Sequence, residues 1–233
     1  MYLQLKELYP EAIKMKLVII DYGSGNLRSV ENAFKKSITD NNIKCTIEVT
    51  KNLKLIKGSD FIVLPGVGSF PDCKEGLTKI RGLIEVLNDK VINRGCPFLG
   101  ICVGMQLLVD YSYEKVKTSG LSWLEGNIEK INNIGLDYLG RKLKVPHMGW
   151  NNLEITKKTH PILKNILENE YFYFVHSYYL NTLKKENILA ETFYGQKIPA
   201  IIAKKNYVGV QFHPEKSGLA GQKFITNWLK WKP

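Results

Sequence analysis

Apolar residues fall along this chain in two rhythms, and the change between them comes near Tyr113. Before it, short apolar runs alternate with stretches in which apolar positions recur every three or four residues. Residues 16–21 (KLVIID), 45–50 (CTIEVT), 61–64 (FIVL) and 97–101 (PFLGI) read as strands, the third wholly apolar and therefore central. Leu27, Val30 and Phe34 mark one helical face, with Asn26 as its candidate N-cap. Leu77, Ile80, Ile84, Leu87 and Val91, spaced by three and four, predict one long amphipathic helix, and residues 105–109 open another. Alternating strands and helices imply a mostly parallel central sheet flanked by helices, with any site at the carboxyl ends of its strands. After Tyr113 the pattern turns β-rich, with strands expected at 126–131, 142–145, 171–179, 188–193, 200–204 and 208–212. A final helix over 218–231 is expected to pack Leu219, Phe224 and Trp228.

Candidate chemistry sits where strands end. Cys102 lies in Gly100-Ile101-Cys102-Val103-Gly104, at the expected turn from strand to helix. Residues without a Cβ two positions away on each side let strand, turn and helix approach closely and lift the central side chain clear of the sheet. The N-terminal end of the following helix would favour a thiolate. Alone, this pattern is equally that of a buried structural cysteine. The third strand runs into Pro65-Gly66-Val67-Gly68-Ser69-Phe70, either a turn whose N–H groups converge on an oxyanion or an ordinary Pro-Gly turn. Near the end, Gln211-Phe212-His213-Pro214-Glu215 carries a strand to a histidine, stops the ladder at proline, and offers a carboxylate to turn back on the imidazole. A histidine held by a carboxylate near an elbow cysteine is an activated-nucleophile arrangement. Gly23-Ser24-Gly25 after the first strand suggests dinucleotide binding, but the third glycine of that motif would fall on Arg28, and no acidic residue closes a second strand at the required distance.

Composition narrows the remaining classes. The chain has 233 residues and a net charge of +11, yet its lysines are scattered, without a basic block. We therefore expect a solvated lysine-rich surface and no nucleic-acid partner. The four cysteines include no C-x-x-C pair and the four histidines lie far apart, so neither a metal nor a disulfide framework is expected. With no long apolar run and no signal core, no membrane association and a cytoplasmic location are expected. One domain over 16–233 is preceded by an extension, 1–15, either a short amphipathic helix (Leu3, Leu5, Leu8, Ile13) or a consequence of start-site choice, with Met15 directly before the first strand.

Gly-Ile-Cys-Val-Gly-Met-Gln, Pro-Gly-Val-Gly-Ser-Phe and Gln-Phe-His-Pro-Glu-Lys-Ser, in that order, resemble the class I (triad) glutamine amidotransferases. Asp-Tyr-Gly-x-Gly-Asn-Leu after residue 20, Pro-His-Met-Gly-Trp-Asn at 146–151 and Phe-Val-His-Ser-Tyr at 174–178 narrow the resemblance to the glutaminase subunits of imidazole glycerol phosphate synthase. It covers residues 16–231, with Val103 where the family more often has leucine and Ser24 at a variable turn position. The resemblance implies a flavodoxin-like α/β fold and a catalytic Cys102, His213 and Glu215, with Val67, Gly68 and Val103 as the oxyanion hole. Gly66, Gln106, Glu114, Tyr173 and Ser177 would bind glutamine. It implies no cofactor, and as partner a (β/α)8-barrel cyclase in a heterodimer, met by Asn26, Trp150 and Lys216. Three other readings stay open at this point: a glutaminase feeding surface-sugar biosynthesis, a non-catalytic scaffold for a barrel, and a cysteine protease or esterase-like hydrolase of similar fold. The pyridoxal phosphate pathway glutaminase has a different glycine loop and lacks Pro-His-Met-Gly-Trp-Asn.

Overall fold

The computed structural model describes residues 14–132, 135–136, 140, 142–182 and 184–233. The first half supplies β1 (Met15–Ile20), β2 (Cys45–Thr50), β3 (Phe61–Gly66) and β4 (Phe98–Cys102), with helices between them at Leu27–Asp40, Leu53–Lys57, Phe70–Lys79 and Leu83–Leu87. The second half supplies β5 (Tyr111–Ser112), β6 (Thr118–Ser119), β7 (Asn127–Lys130), β8 (His147–Asn152), β9 (Glu154–Ile155), β10 (Tyr171–His176), β11 (Tyr178–Asn181), β12 (Ile188–Phe193), β13 (Lys197–Lys204) and β14 (Tyr207–Val210). An eight-stranded sheet runs in the order β2-β1-β3-β4-β14-β13-β12-β9. It is parallel from β2 to β14 and antiparallel beyond. The order of the parallel part reverses direction after β1, so right-handed crossovers put the first helix on one face and the following helices on the other. The expected α/β architecture is therefore present, with its β-rich second half.

The parallel strands are apolar on both faces because both are covered: β3 and β4 are buried throughout. On the face of the first helix, Trp228 of the terminal helix (Gly218–Lys230) meets Phe34 and Phe61 edge-on, at ring separations of 5.8 and 5.3 Å. A two-stranded sheet (β10-β8) and a four-stranded sheet (β11-β7-β5-β6) stand beyond the carboxyl ends.

Several expectations need correction. The long helix through Leu77 and Val91 is broken: Gly82 takes φ +83, a conformation glycine adopts freely, and the chain restarts as Leu83–Leu87 and a wide turn, Asn88–Asn93. The apolar run 171–179 is split at Ser177 between β10 and β11, which join different sheets. Residues 142–145 form no strand; Lys142 makes only an isolated bridge to Leu136. Leu219 is 83% exposed, because it lies on the side of the terminal helix opposite Phe224 and Trp228. Of the expected extension, 1–15, residues 1–13 lie outside the described residues, and Met15 is already part of β1, paired with Cys45.

Gly104 shows how tightly the elbow is built. A Cβ there would stand 1.9 Å from the Leu64 carbonyl oxygen of β3, and one on Gly100 would stand 2.4 Å from the Gly104 oxygen. These are backbone atoms, one in β3 at the centre of the sheet and one in the tight turn after β4, and neither can move aside. Gly104→Ala is expected to destabilise the fold by more than about 3 kcal/mol, a loss visible as a collapsed soluble yield or melting temperature; an unchanged melting temperature would contradict this packing.

Candidate active site

Cys102 ends β4 with φ +54 and ψ −110, a strained backbone for a residue with a side chain. The strain is held by the glycine contacts just described and by register, Gly66 of β3 lying opposite Cys102 of β4. The helix after the elbow is a single turn, Val103–Gln106, and not the longer one expected over 105–109. So short a helix has little macrodipole, and activation of the sulfur falls to its side-chain neighbours.

The candidate base follows the next parallel strand. After β14 the chain passes through Gln211 and Phe212 to His213, and a short 3₁₀ turn, Pro214–Lys216, swings Glu215 back. Glu215 Oε1 accepts from His213 Nδ1 at 2.8 Å, both side chains being almost fully buried at 1% and 3% exposed. Burial pushes the imidazolium down, but the Cys102 sulfur and the Glu215 carboxylate hold the proton on it, and the net value is raised to about 10. Nε2, on the other edge of the ring, is buried without a well-aligned hydrogen bond and shares a cavity with Cys102. The imidazole is anchored through its backbone: His213 N–H donates to the Tyr173 carbonyl at 2.9 Å, and Ser217 Oγ donates to the His213 carbonyl at 2.6 Å.

A cavity of about 290 Å³ opens over these groups. Of the residues expected on sequence, Cys102, His213, Val67, Gly68, Val103, Gln106, Glu114 and Ser177 line it. Glu215, behind His213, and Gly66 and Tyr173 do not. Gly66 is packed beneath, where a Cβ would meet the Gly104 nitrogen at 2.7 Å. The Tyr173 ring instead lies beside Trp150, at 5.9 Å, and beneath the Lys216 ammonium, 5.6 Å from its centroid, so that its contribution to the cavity is to hold His213 by its backbone. Trp150 is 56% exposed. Asn26 caps the first helix, accepting from the Ser29 N–H at 3.4 Å. The three residues expected at a partner surface thus form a pair, Trp150 and Lys216, around Tyr173, and a separate exposed cap.

Two cavity groups are already engaged. Gln106 Nε2 donates to the Tyr178 carbonyl at 3.0 Å and to Gln211 Oε1 at 3.1 Å, and Gln211 Nε2 in turn reaches Cys102 Sγ at 3.7 Å. Glu114 Oε2 accepts from the Phe70 N–H at 2.7 Å, joining the cavity wall to the helix Phe70–Lys79. The expected oxyanion turn is clamped from behind: Val67 N–H donates to Ser24 Oγ at 3.2 Å, and Ser24 Oγ donates to the Val67 carbonyl at 2.6 Å. Gly68 has φ +97 and open space where a Cβ would lie. Sequence reasoning missed Gln211, His176, Tyr178 and Val175 as parts of the site, although all four lie in the quoted stretches 174–178 and 211–215.

A sequence model of the glutamine amidotransferase class-I family matches residues 18–231. Imidazole glycerol phosphate synthase subunit HisH of Brucella melitensis biotype 1 is 44% identical over 222 residues, spanning 94% of this chain and 100% of that protein. The protein of the same name from Rhodospirillum rubrum is 43% identical over 219 residues, with the same coverage. Among solved structures, a putative GMP synthase protein from Thermoplasma acidophilum aligns with a TM-score of 0.63 at 14% identity over 94% of both chains. A glutamine amidotransferase from Thermotoga maritima aligns with a TM-score of 0.55 at 15% identity, over 91% of this chain and 81% of that one. These two structures support the fold alone.

Proposed function

The chain belongs to the class I glutamine amidotransferases, as a glutaminase subunit of imidazole glycerol phosphate synthase, and from this premise we propose that Cys102, His213 and Glu215 are the residues that release its ammonia. The observation that carries the assignment is the buried His213–Glu215 pair, whose histidine lines one cavity together with the elbow cysteine. His213 takes the thiol proton, and Cys102 Sγ attacks the side-chain carboxamide carbon of glutamine. The tetrahedral oxyanion is met by the Val103 N–H and an N–H of the Val67/Gly68 turn, each donor of this kind being worth roughly 2.7 to 4 kcal/mol. His213 then protonates the leaving nitrogen, ammonia departs, and a γ-glutamyl thioester remains. Water, activated by the same histidine, hydrolyses it to glutamate and regenerates the thiol. Gln106, Glu114 and Ser177 line the place where the amino-acid end of glutamine would lie.

Ammonia that escaped to water would be protonated and lost as a nucleophile. The partner in this reading is a (β/α)8-barrel cyclase, which uses ammonia to convert a phosphoribosyl-formimino intermediate into imidazole glycerol phosphate and aminoimidazole carboxamide ribotide. Exposed Trp150 and Lys216, gathered around Tyr173, together with Asn26, are its proposed contacts. Cytoplasmic residence belongs to the same proposal; among the described residues no helix is long and apolar enough to cross a membrane. Glutamate release by the chain alone, and with a barrel cyclase plus its phosphoribosyl ligand, tests the pairing: strong stimulation by the liganded partner is expected, and indifference to it would point to another acceptor.

The Ser24 clamp makes a further prediction about that stimulation. While Val67 N–H is held by Ser24 Oγ it cannot face an oxyanion. Turning the Gly66–Val67 peptide breaks the bond from Val67 N–H to Ser24 Oγ, so Ser24→Ala lowers the barrier to the productive turn by about the worth of one hydrogen bond. Partner-free glutaminase activity is expected to rise roughly fivefold to tenfold, read as glutamate release; unchanged or lower activity would remove Ser24 from the account.

A further inference from the structure

One buried polar assembly near the cavity has no part in the mechanism above. His147, on β8, is buried and sandwiched between the rings of Phe174 and Tyr194, at 4.8 and 4.0 Å and within 20° of parallel. It does not line the cavity; its neighbour His176, on β10, does. His147 Nδ1 lies 3.0 Å from His176 Nε2, His176 Nδ1 lies 2.9 Å from the Tyr178 carbonyl, and Asn151 Nδ2 lies 3.3 Å from His147 Nε2.

The protons in this chain have a single consistent arrangement. A carbonyl only accepts, so His176 must carry its proton on Nδ1. Burial pushes His176 down to about 4 and His147 to about 3, so both rings are neutral. His176 Nε2 is then a lone pair, and His147 must donate to it from Nδ1. His147 Nε2 is left to accept, and it faces an amide N–H of Asn151, whose Nδ2 also donates to the Phe193 carbonyl at 2.9 Å. The Tyr178 carbonyl at the far end receives a second donor, Gln106 Nε2, which also holds the Gln211 amide that points at Cys102 Sγ.

We propose that His147 is a positioning residue for glutamine hydrolysis: by donating from Nδ1 it fixes the one tautomer of His176 that pins the Tyr178 carbonyl, on which Gln106, Gln211 and so Cys102 are aligned. With both ring nitrogens engaged, His176 has no proton to exchange with the cavity, and proton transfer to and from Cys102 falls to His213. The inference rests on the glutaminase reading. His147 acts through other groups and touches no reacting atom.

The test separates hydrogen bonding from packing and is made on the complex with a barrel cyclase and its ligand. The parent complex must release glutamate; if it does not, the glutaminase reading itself fails. His147→Phe keeps an aromatic ring between Phe174 and Tyr194 but removes the donor, whereas His147→Asn removes the ring and keeps an N–H close to the Nδ1 position. The expected result is a loss of kcat/KM of roughly tenfold or more for His147→Phe, with His147→Asn within about threefold of the parent. A packing role predicts the reverse order, and that order would overturn the proposal. Should His147→Phe fail to fold, half-buried Asn151 decides. Asn151→Asp presents an acceptor to His147 Nε2 and drives the proton chain the wrong way, while Asn151→Leu merely ends it. Asp more damaging than Leu by roughly threefold or more supports the proposal, and equal effects overturn it.

Discussion

Replacing Cys102 by alanine abolishes glutamate release, by about 10⁴-fold or more, while the complex continues to make imidazole glycerol phosphate when ammonium is supplied. The size follows from the single-atom role the proposal gives Sγ, as the attacking atom and the carrier of the thioester, which no other thiol lining the cavity could take over. Cys73 and Cys96 are buried, with thiols pushed up by burial, and neither lines the cavity. Cys102 is packed at an elbow whose glycines leave space for its own small side chain, so alanine fits without strain beyond that already present. The ammonium-dependent reaction separates lost chemistry from lost assembly. Residual glutaminase activity above about one part in a hundred would place the nucleophile elsewhere.

The second large effect is expected at Glu215, which touches no substrate. Glu215→Gln replaces a buried acceptor facing His213 Nδ1 by a neutral amide of the same shape. The imidazolium then loses one of the two groups that raise it to about 10 against burial. Glutaminase activity is expected to fall by roughly 10² to 10⁴-fold, mostly in kcat, because the proton must be held at each tetrahedral step and not merely in the resting site. A stability signature accompanies it. Since the folded value of His213 lies above its unfolded value, near 6.5, protonation of His213 stabilises the fold fully below about pH 6.5 and progressively less until pH passes about 10. The parent should therefore exceed Glu215→Gln in melting temperature most at pH 6, and the gap should narrow towards pH 10. A gap independent of pH would mean that Glu215 is held for packing alone.

How much of this was readable before the fold depends on which force set each feature. β3 and β4 are legible because strands covered on both faces must be apolar throughout, and the proposed triad is legible because Cys102 ends such a strand and His213 and Glu215 follow another, in motifs whose glycines or proline have steric work to do. The broken helix was not, since Ile80 and Ile84 keep helical spacing across Gly82 and periodicity is blind to one left-handed residue. Likewise 171–179 reads as one continuous strand; only the tertiary contest between two sheets divides it at Ser177. The resemblance assigns Tyr173, next to the 174–178 motif, to glutamine, but alternation along β10 turns its ring outward, away from His176. Ser24 stood out only as a variable position, and its clamp on Val67 spans 43 residues, beyond the reach of any local pattern. The proton order of Asn151, His147 and His176 requires distances and could not be written from sequence at all.

The most direct test of the account is to quench the complex in acid during turnover with glutamine and map any γ-glutamyl adduct by mass spectrometry. The account predicts an acid-stable, hydroxylamine-sensitive thioester on the peptide that carries Cys102, accumulating when hydrolysis is slowed and absent from Cys102→Ala. Glutamate release without an adduct on that peptide, or an adduct on Cys45, Cys73 or Cys96 instead, would contradict it.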